Sequence, residues 1–96
     1  MEIQTVNILG MPLEEWIYKS CIAHFGVGDD WATLYDIESK ERGKGHATRL
    51  LTEAKKYYEL QGKRFGGTVA LNDGMKKLYI KLGIKEYDNY LKKKEN

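Results

Sequence analysis

Arg42-Gly43-Lys44-Gly45-His46-Ala47 is the stretch of this sequence in which glycine spacing and charge combine into usable chemistry. Two glycines let the backbone turn tightly and come close to a ligand. The residues that follow, His46 to Leu60, repeat with a helical period. The first turn of such a helix carries N–H groups with no intrahelical partner, at its positive end. Phosphate is the usual occupant of that kind of turn, and Arg42 and Lys44 add two formal positive charges. The loop therefore reads as a holder for the pyrophosphate of a nucleotide-like cofactor. An ATP-binding P-loop is excluded, because no Gly-x-x-x-x-Gly-Lys-Ser/Thr occurs.

The other reactive residue types carry less. His24, His46 and Cys21 do not have zinc-site spacing with enough ligands, so no metal is expected. His46 lies inside the loop, where presenting its backbone is a sufficient role. Cys21, the single cysteine, cannot form an internal disulfide, reads as a small buried apolar residue rather than a nucleophile, and fits a reducing cytoplasm. The seven tyrosines and two tryptophans lie mostly on stripes and strands and read first as core.

Composition sets the frame for these residues. Ninety-six residues, 42% hydrophobic and 31% charged, are expected to form one compact soluble domain over 1–96. A mean hydropathy of -0.60 and the lack of a long apolar run argue against a membrane span. No signal-peptide pattern opens the sequence. A net charge of +2 is too small to point to nucleic acid. Part of it sits in Lys92-Lys93-Lys94, and 92–96 read as a solvated, frayed terminus.

The elements that must position the loop can be read in order. Glu2 to Leu9 alternates as a strand that Gly10 ends. Pro12 to Phe25 allows two readings. Pro12 with Glu14 and Glu15 is a helix-start signal, whereas Ile17, Tyr18, Cys21, Ile22 and Phe25 favour a strand from about Trp16 to Phe25. Gly26 to Asp30 has hairpin-turn chemistry. Trp31 to Glu38 is a strand apolar on both faces, as in a central strand. In the helix His46–Leu60, Ala47, Leu50, Leu51, Ala54, Tyr57 and Tyr58 share a stripe, and Gly62 stops it. Arg64 to Leu71 is a strand in which Gly66-Gly67 marks a bulge or a close backbone approach. Asn72 or Asp73 caps a second helix with Met75, Leu78, Tyr79 and Leu82 on one face. Gly83 ends it, and Ile84 to Leu91 offers a last strand.

Two segments carry a family resemblance. Arg42-Gly43-Lys44-Gly45-His46-Ala47 fits at every fixed position the cofactor motif of the GNAT superfamily of acyl-CoA-dependent N-acetyltransferases: Gln or Arg, two residues, Gly, one residue, Gly or Ala. Asn72-Asp73-Gly74-Met75-Lys76-Lys77-Leu78-Tyr79-Ile80-Lys81-Leu82-Gly83-Ile84 resembles that family's later segment, an asparagine followed by a helix ending in Leu-Tyr, two residues, Leu-Gly and an apolar residue. The two occur in the family's order, one helix and one strand apart, and the likeness spans about residues 30 to 90. The chain thus resembles a compact GNAT member. The resemblance implies an α/β (α+β) fold with a mixed, mostly antiparallel sheet, helices packed on it in three layers, and a splayed central strand pair.

It also implies roles. The backbone of Arg42, Gly43, Lys44, Gly45, His46, Ala47 and Thr48 would bind the pyrophosphate of acetyl-CoA. Tyr35, Asp36 and Ile37 would hydrogen-bond the pantetheine arm like an added strand, and Asn72 would line the cofactor side of the notch. Tyr79 lies on the apolar stripe and reads as core. The family's reading of it is the acid that protonates the departing thiolate, a role a phenol near pKa 10 suits. The implied reaction is direct attack of an amine on the thioester, with a backbone N–H near Ile37 at the oxyanion.

The chain departs from the family in two places. Histone-modifying members carry a glutamate where this chain has Trp31, so the base is open among Asp30, Asp36, Glu38, His24 and water. The segment before Trp31 leaves room for at most one short helix where the family usually has two. An open acceptor side suits a protein lysine or N-terminal amine more than a small molecule, or a second subunit that completes the site. The alternative is a non-catalytic GNAT-fold module that binds CoA or a protein partner.

Overall fold

The computed structural model describes residues 1–87. Six strands and two helices follow in the order β1 (Glu2–Ile8), β2 (Met11–Tyr18), β3 (Cys21–Val27), β4 (Trp31–Ser39), α1 (His46–Leu60), β5 (Arg64–Thr68), α2 (Asp73–Leu82) and β6 (Lys85–Tyr87). They form one mixed sheet whose strand order is the chain order. The pairings β1·β2, β2·β3 and β3·β4 are antiparallel, whereas β4·β5 and β5·β6 are parallel. Parallel neighbours need a crossover, and α1 and α2 supply the two crossovers.

The residue pattern explains the layers. On β2 and β3, Trp16 pairs with Ala23 and Tyr18 with Cys21, and these side chains face α1. Leu50, Leu51, Ala54 and Tyr58 of α1 are fully buried and join one cluster with Trp16, Phe25, Leu34, and Met75 and Tyr79 of α2. Burying each leucine stabilises the packing by roughly 1.5–3 kcal/mol. A hydrogen-bond chain crosses this interface: Trp16 Nε1 donates to Tyr58 Oη at 2.9 Å, and Tyr58 donates to a carboxylate oxygen of Glu14. Burial and that carboxylate push the Tyr58 phenol well above its ordinary range.

Both helices share this single core, so they lie on one face of the sheet. The three layers implied by the resemblance are therefore two among the described residues, and the opposite face of β1–β4 has no helix over it. The segment before Trp31, where at most one short helix was expected to fit, holds three strands joined by turns and no helix.

The ambiguous segment resolves as two strands. Pro12 lies inside β2, paired with Asn7, and the strand expected from Trp16 to Phe25 is cut at Lys19–Ser20. Lys19 adopts φ 54 there, a left-handed value that the sequence gives no glycine or asparagine to signal. Helix α1 has the expected bounds. Within its stripe, Tyr57 alone is exposed. Asn72 caps α2, its Oδ1 accepting from Met75 N at 2.9 Å, and Gly83 ends it at φ 67. Strand β5 stops at Thr68 rather than Leu71. Its glycines mark a close approach, since a Cβ on Gly67 would stand 2.3 Å from Tyr79 Oη. The bulge lies elsewhere, between His24 and Phe25 opposite β4. The last strand is Lys85–Tyr87. The remainder of the expected strand to Leu91, and the tail 92–96, lie outside the described residues.

Candidate functional site: the cleft where β4 parts from β5

Strand β4 stays paired with β3 to its end, through Cys21↔Ser39. It pairs with β5 only from Trp31↔Arg64 to Leu34↔Gly67. At the parting point Thr68 Oγ1 lies 3.4 Å from the Leu34 carbonyl and 3.5 Å from that of Tyr35, so a side chain takes over where the backbone ladder stops. Beyond it the edge of β4 faces an open cleft of about 960 Å³. Its walls are the end of β4 with the loop after it, the first turn of α1, and the start of α2.

Nine of the residues singled out for cofactor binding line this cleft. They are Asp36 and Ile37 of β4; Arg42, Gly43, Gly45, His46, Ala47 and Thr48 of the loop and helix start; and Asn72. Gly43 and Gly45 both adopt φ 76, which a side chain would strain. Gly45 is the cap of α1 and supplies no side chain to it. The N–H groups of His46, Ala47 and Thr48 thus begin the helix without intrahelical partners, on the wall of the cleft. Successive backbone N–H groups in such a turn make an anion-binding concavity, and no acidic residue occupies the first turn to compete with an anion.

Two cofactor-site candidates and the catalytic candidate stand outside the lining. Lys44 is an exposed loop residue. The ring of Tyr35 covers Gly26, where an added Cβ would meet it at 2.5 Å. Tyr79 is buried in the core, and its hydroxyl donates to the Thr68 carbonyl at 2.9 Å. Burial, reinforced by Glu86, pushes its phenol up to about 12. The hydroxyl therefore sits at the parting point of β4 and β5, but behind the strand rather than in the open cleft.

The base candidates separate by position. Asp30 precedes β4, at the end remote from the cleft, where its carbonyl accepts from Arg64 N at 2.9 Å. His24, Asp36 and Glu38 line the cleft. His24 bridges two carboxylates on the uncovered face, with Nδ1 at 2.8 Å from Asp36 Oδ1 and Nε2 at 2.9 Å from Glu15 Oε2. With a carboxylate group at each ring nitrogen, the geometry favours the imidazolium form, in which both nitrogens donate. Burial pulls its pKa down, but the bonds to Asp36 and Glu15 outweigh that and hold it above the ordinary histidine value. Glu15 is held below the usual carboxylate range, first by Gln4 Nε2 at 2.6 Å and then by His24. In this state His24 has no lone pair to offer.

Ser20 is a site residue that the sequence does not reveal. In the β2–β3 turn its carbonyl accepts from Lys40 N at 3.2 Å and its Oγ from Glu41 N at 3.3 Å, at the entry to the glycine loop. The same Oγ lies 3.4 Å from His46 Nδ1 at the exit. The His46 ring also meets Tyr18 edge to face at 5.7 Å. One turn thus fastens both ends of the loop, and the His46 side chain does more than accompany its backbone. Neighbouring residues carry no sign of this, because the contact joins elements 20 or more positions apart.

Among the described residues no cluster of His, Cys, Asp or Glu could hold a metal ion, and no helix is long and apolar enough to cross a membrane. Cys21 is buried, and burial pushes its thiol up to about 11, away from nucleophilic use. Comparisons with family models, with curated proteins and with solved structures each gave no match.

Proposed function

We propose that this protein is an acetyl-CoA-dependent N-acetyltransferase of GNAT type that acts on an amine, a protein lysine or N-terminal amine ahead of a small molecule. The observation that carries the reading is the convergence of two backbone features on one cleft: the partnerless N–H groups of α1 behind Gly43 and Gly45, and the edge of β4 beyond Leu34. The first suits a pyrophosphate and the second suits the amide-bearing arm of CoA, which bonds like an added strand. Acetyl-CoA supplies an activated acyl thioester. The chain's part would be to bind it along Asp36–Ile37 and Arg42–Thr48, to offer a backbone N–H near Ile37 to the oxyanion, and to give a proton from Tyr79 to the departing thiolate once its hydroxyl turns from the Thr68 carbonyl, the proton lost by the amine passing through water to restore the phenol. The uncovered sheet face beside Asp36 and Glu38 leaves room for a bulky acceptor to approach.

The second reading, a CoA-binding module without turnover, is favoured by the engaged Tyr79 hydroxyl and by the doubly bonded His24. Calorimetric titration with acetyl-CoA, CoA and ATP tests the shared premise. Binding of both thiol cofactors but not ATP is expected, and no binding of either would overturn both readings of the cleft. Tyr79→Phe then separates them in an acceptor screen. As the acid, Tyr79 should be worth on the order of a hundredfold in turnover at nearly unchanged CoA affinity. A parallel loss of binding and melting temperature would make it a core residue only.

A further inference from the structure

Strand β1 has an edge that no other strand among the described residues pairs with. Six of its seven residues are exposed and Val6 is half-buried. It leans on β2, and no helix packs on it to any substantial degree. Its pairing with β2 runs without a register shift from Glu2↔Ile17 to Ile8↔Met11. The usual protections of an edge are a lysine, a proline or a bulge, and β1 has none of them. Between Glu2 and Glu14 there is no charged residue at all, in a chain that is 31% charged. Ile3 on the helix side and Ile8 on the opposite side stay exposed, and Leu9 is wholly exposed in the turn that follows.

We infer that β1 is a dimerisation strand, on which a second copy of this chain pairs β1 to β1 antiparallel about a two-fold axis through Thr5. Only another strand satisfies a row of edge N–H and C=O groups along its whole length. The twin strand does so over the full length of β1. Thr5 faces Thr5, Ile3 faces Asn7, and Glu2 faces Ile8, so the one charge of the strand never meets its like. The other edge strand, β6, carries Lys85 and Glu86 among its described residues. Pairing β1 to it would be head to tail and would lack a two-fold axis. In the two-fold arrangement both helix layers lie on the same side of one continuous sheet. Ile3 of each copy then faces the gap between them, with Met1 and Leu9 at the strand ends. This inference is independent of the reading of the cleft.

Light scattering and sedimentation of the full chain test it. The expected mass at high micromolar concentration is twice 11.1 kDa. Thr5→Lys sets two ammonium groups face to face on the axis and should return the 11.1 kDa species with unchanged circular dichroism. Thr5→Cys should cross-link to a covalent dimer under mild oxidation, because opposed residues on paired strands lie within disulfide reach and Cys21 is buried. Asn7→Cys, far from its twin in this register, should stay uncross-linked. A chain that is monomeric at every concentration overturns the inference. So does a dimer that Thr5→Lys leaves intact, or one that Thr5→Cys fails to cross-link.

Discussion

The two halves of the sheet are built on different rules. From β1 to β4 the strands run antiparallel, joined by short turns, and the chain simply doubles back. From β4 to β6 they run parallel, and each step needs a helix to carry the chain back to the start of the next strand. The antiparallel half uses its backbone groups on its neighbours and contributes shape. The parallel half brings helix N-termini to the ends of its strands, where ligands of open α/β sheets gather. Strand β4 belongs to both. It follows β3 to its last residue and leaves β5 after Leu34, and the cleft is the result. The cleft thus arises at the change of rule, and neither half has it alone.

Paired glycine substitutions should expose the difference most strongly. Gly67→Ala, in the parallel half, drives a Cβ to 2.3 Å from the hydroxyl of buried Tyr79. Overpacking of this kind should destabilise by about 1–3 kcal/mol in urea denaturation. Gly26→Ala, in the antiparallel half, meets the Tyr35 ring at 2.5 Å, but that ring lies on the uncovered face and can swing aside. Its cost should stay below about 1 kcal/mol. Equal losses would mean that the uncovered face is as tightly packed as the core, and the contrast would fail.

A smaller effect should show that the antiparallel half serves the cleft. Ser20→Ala removes one acceptor from Glu41 N–H and the partner of His46. With a hydrogen bond worth about 0.5–1.5 kcal/mol, the melting temperature should fall by a few degrees, and the affinity proposed for CoA should fall by up to roughly tenfold as the loop loosens. Ser20→Thr, which keeps the hydroxyl, should restore it. Unchanged affinity in Ser20→Ala would leave the loop self-supporting.

The smallest effect is a pH dependence confined to the uncovered face. His24 is raised above its unfolded value, so its contribution is complete below about pH 6.5 and is lost as pH rises through the folded pKa. Glu15 is lowered, so its contribution is present above its unfolded pKa and is lost as pH falls through the folded one. Melting temperature should therefore be highest in the mildly acidic range and decline above neutrality, and His24→Gln should flatten the alkaline decline. An identical decline in the variant would show that the bridge to Glu15 and Asp36 does not stabilise the fold.

The parallel half was largely legible from sequence. Helix α1 declares itself by stripe, α2 by its Asn72 cap and Gly83 stop, and the loop by Gly43 and Gly45. These are local signals, each complete within a turn or two of chain. The antiparallel half was not so legible. The turn at Lys19–Ser20 lacks turn residues, and Pro12 followed by two acids imitates a helix start although it lies within β2. The family resemblance, not spacing, places Asp36 and Ile37 beside the loop; they line its cleft because strand, loop and helix are consecutive, whereas Tyr35, placed there too, stands outside it. The burial of Tyr79 follows from its place on the stripe with Met75, Leu78 and Leu82, but Ser20 and the Glu15–His24–Asp36 bridge depend on contacts between distant elements, and no spacing in the chain encodes them.

Because strand order in the sheet equals order in the chain, every strand has its partner ready when it appears. No segment must wait for one made much later, so the loop-closure entropy of each antiparallel step stays small. During synthesis the sheet can extend by one strand at a time from the N-terminal hairpin, with the newest strand as its growing edge. The antiparallel hairpins are the quick part of this topology, whereas the parallel pairing of β4 with β5 joins distant residues and comes slowly, and the cleft is completed only when β5 and α2 have joined.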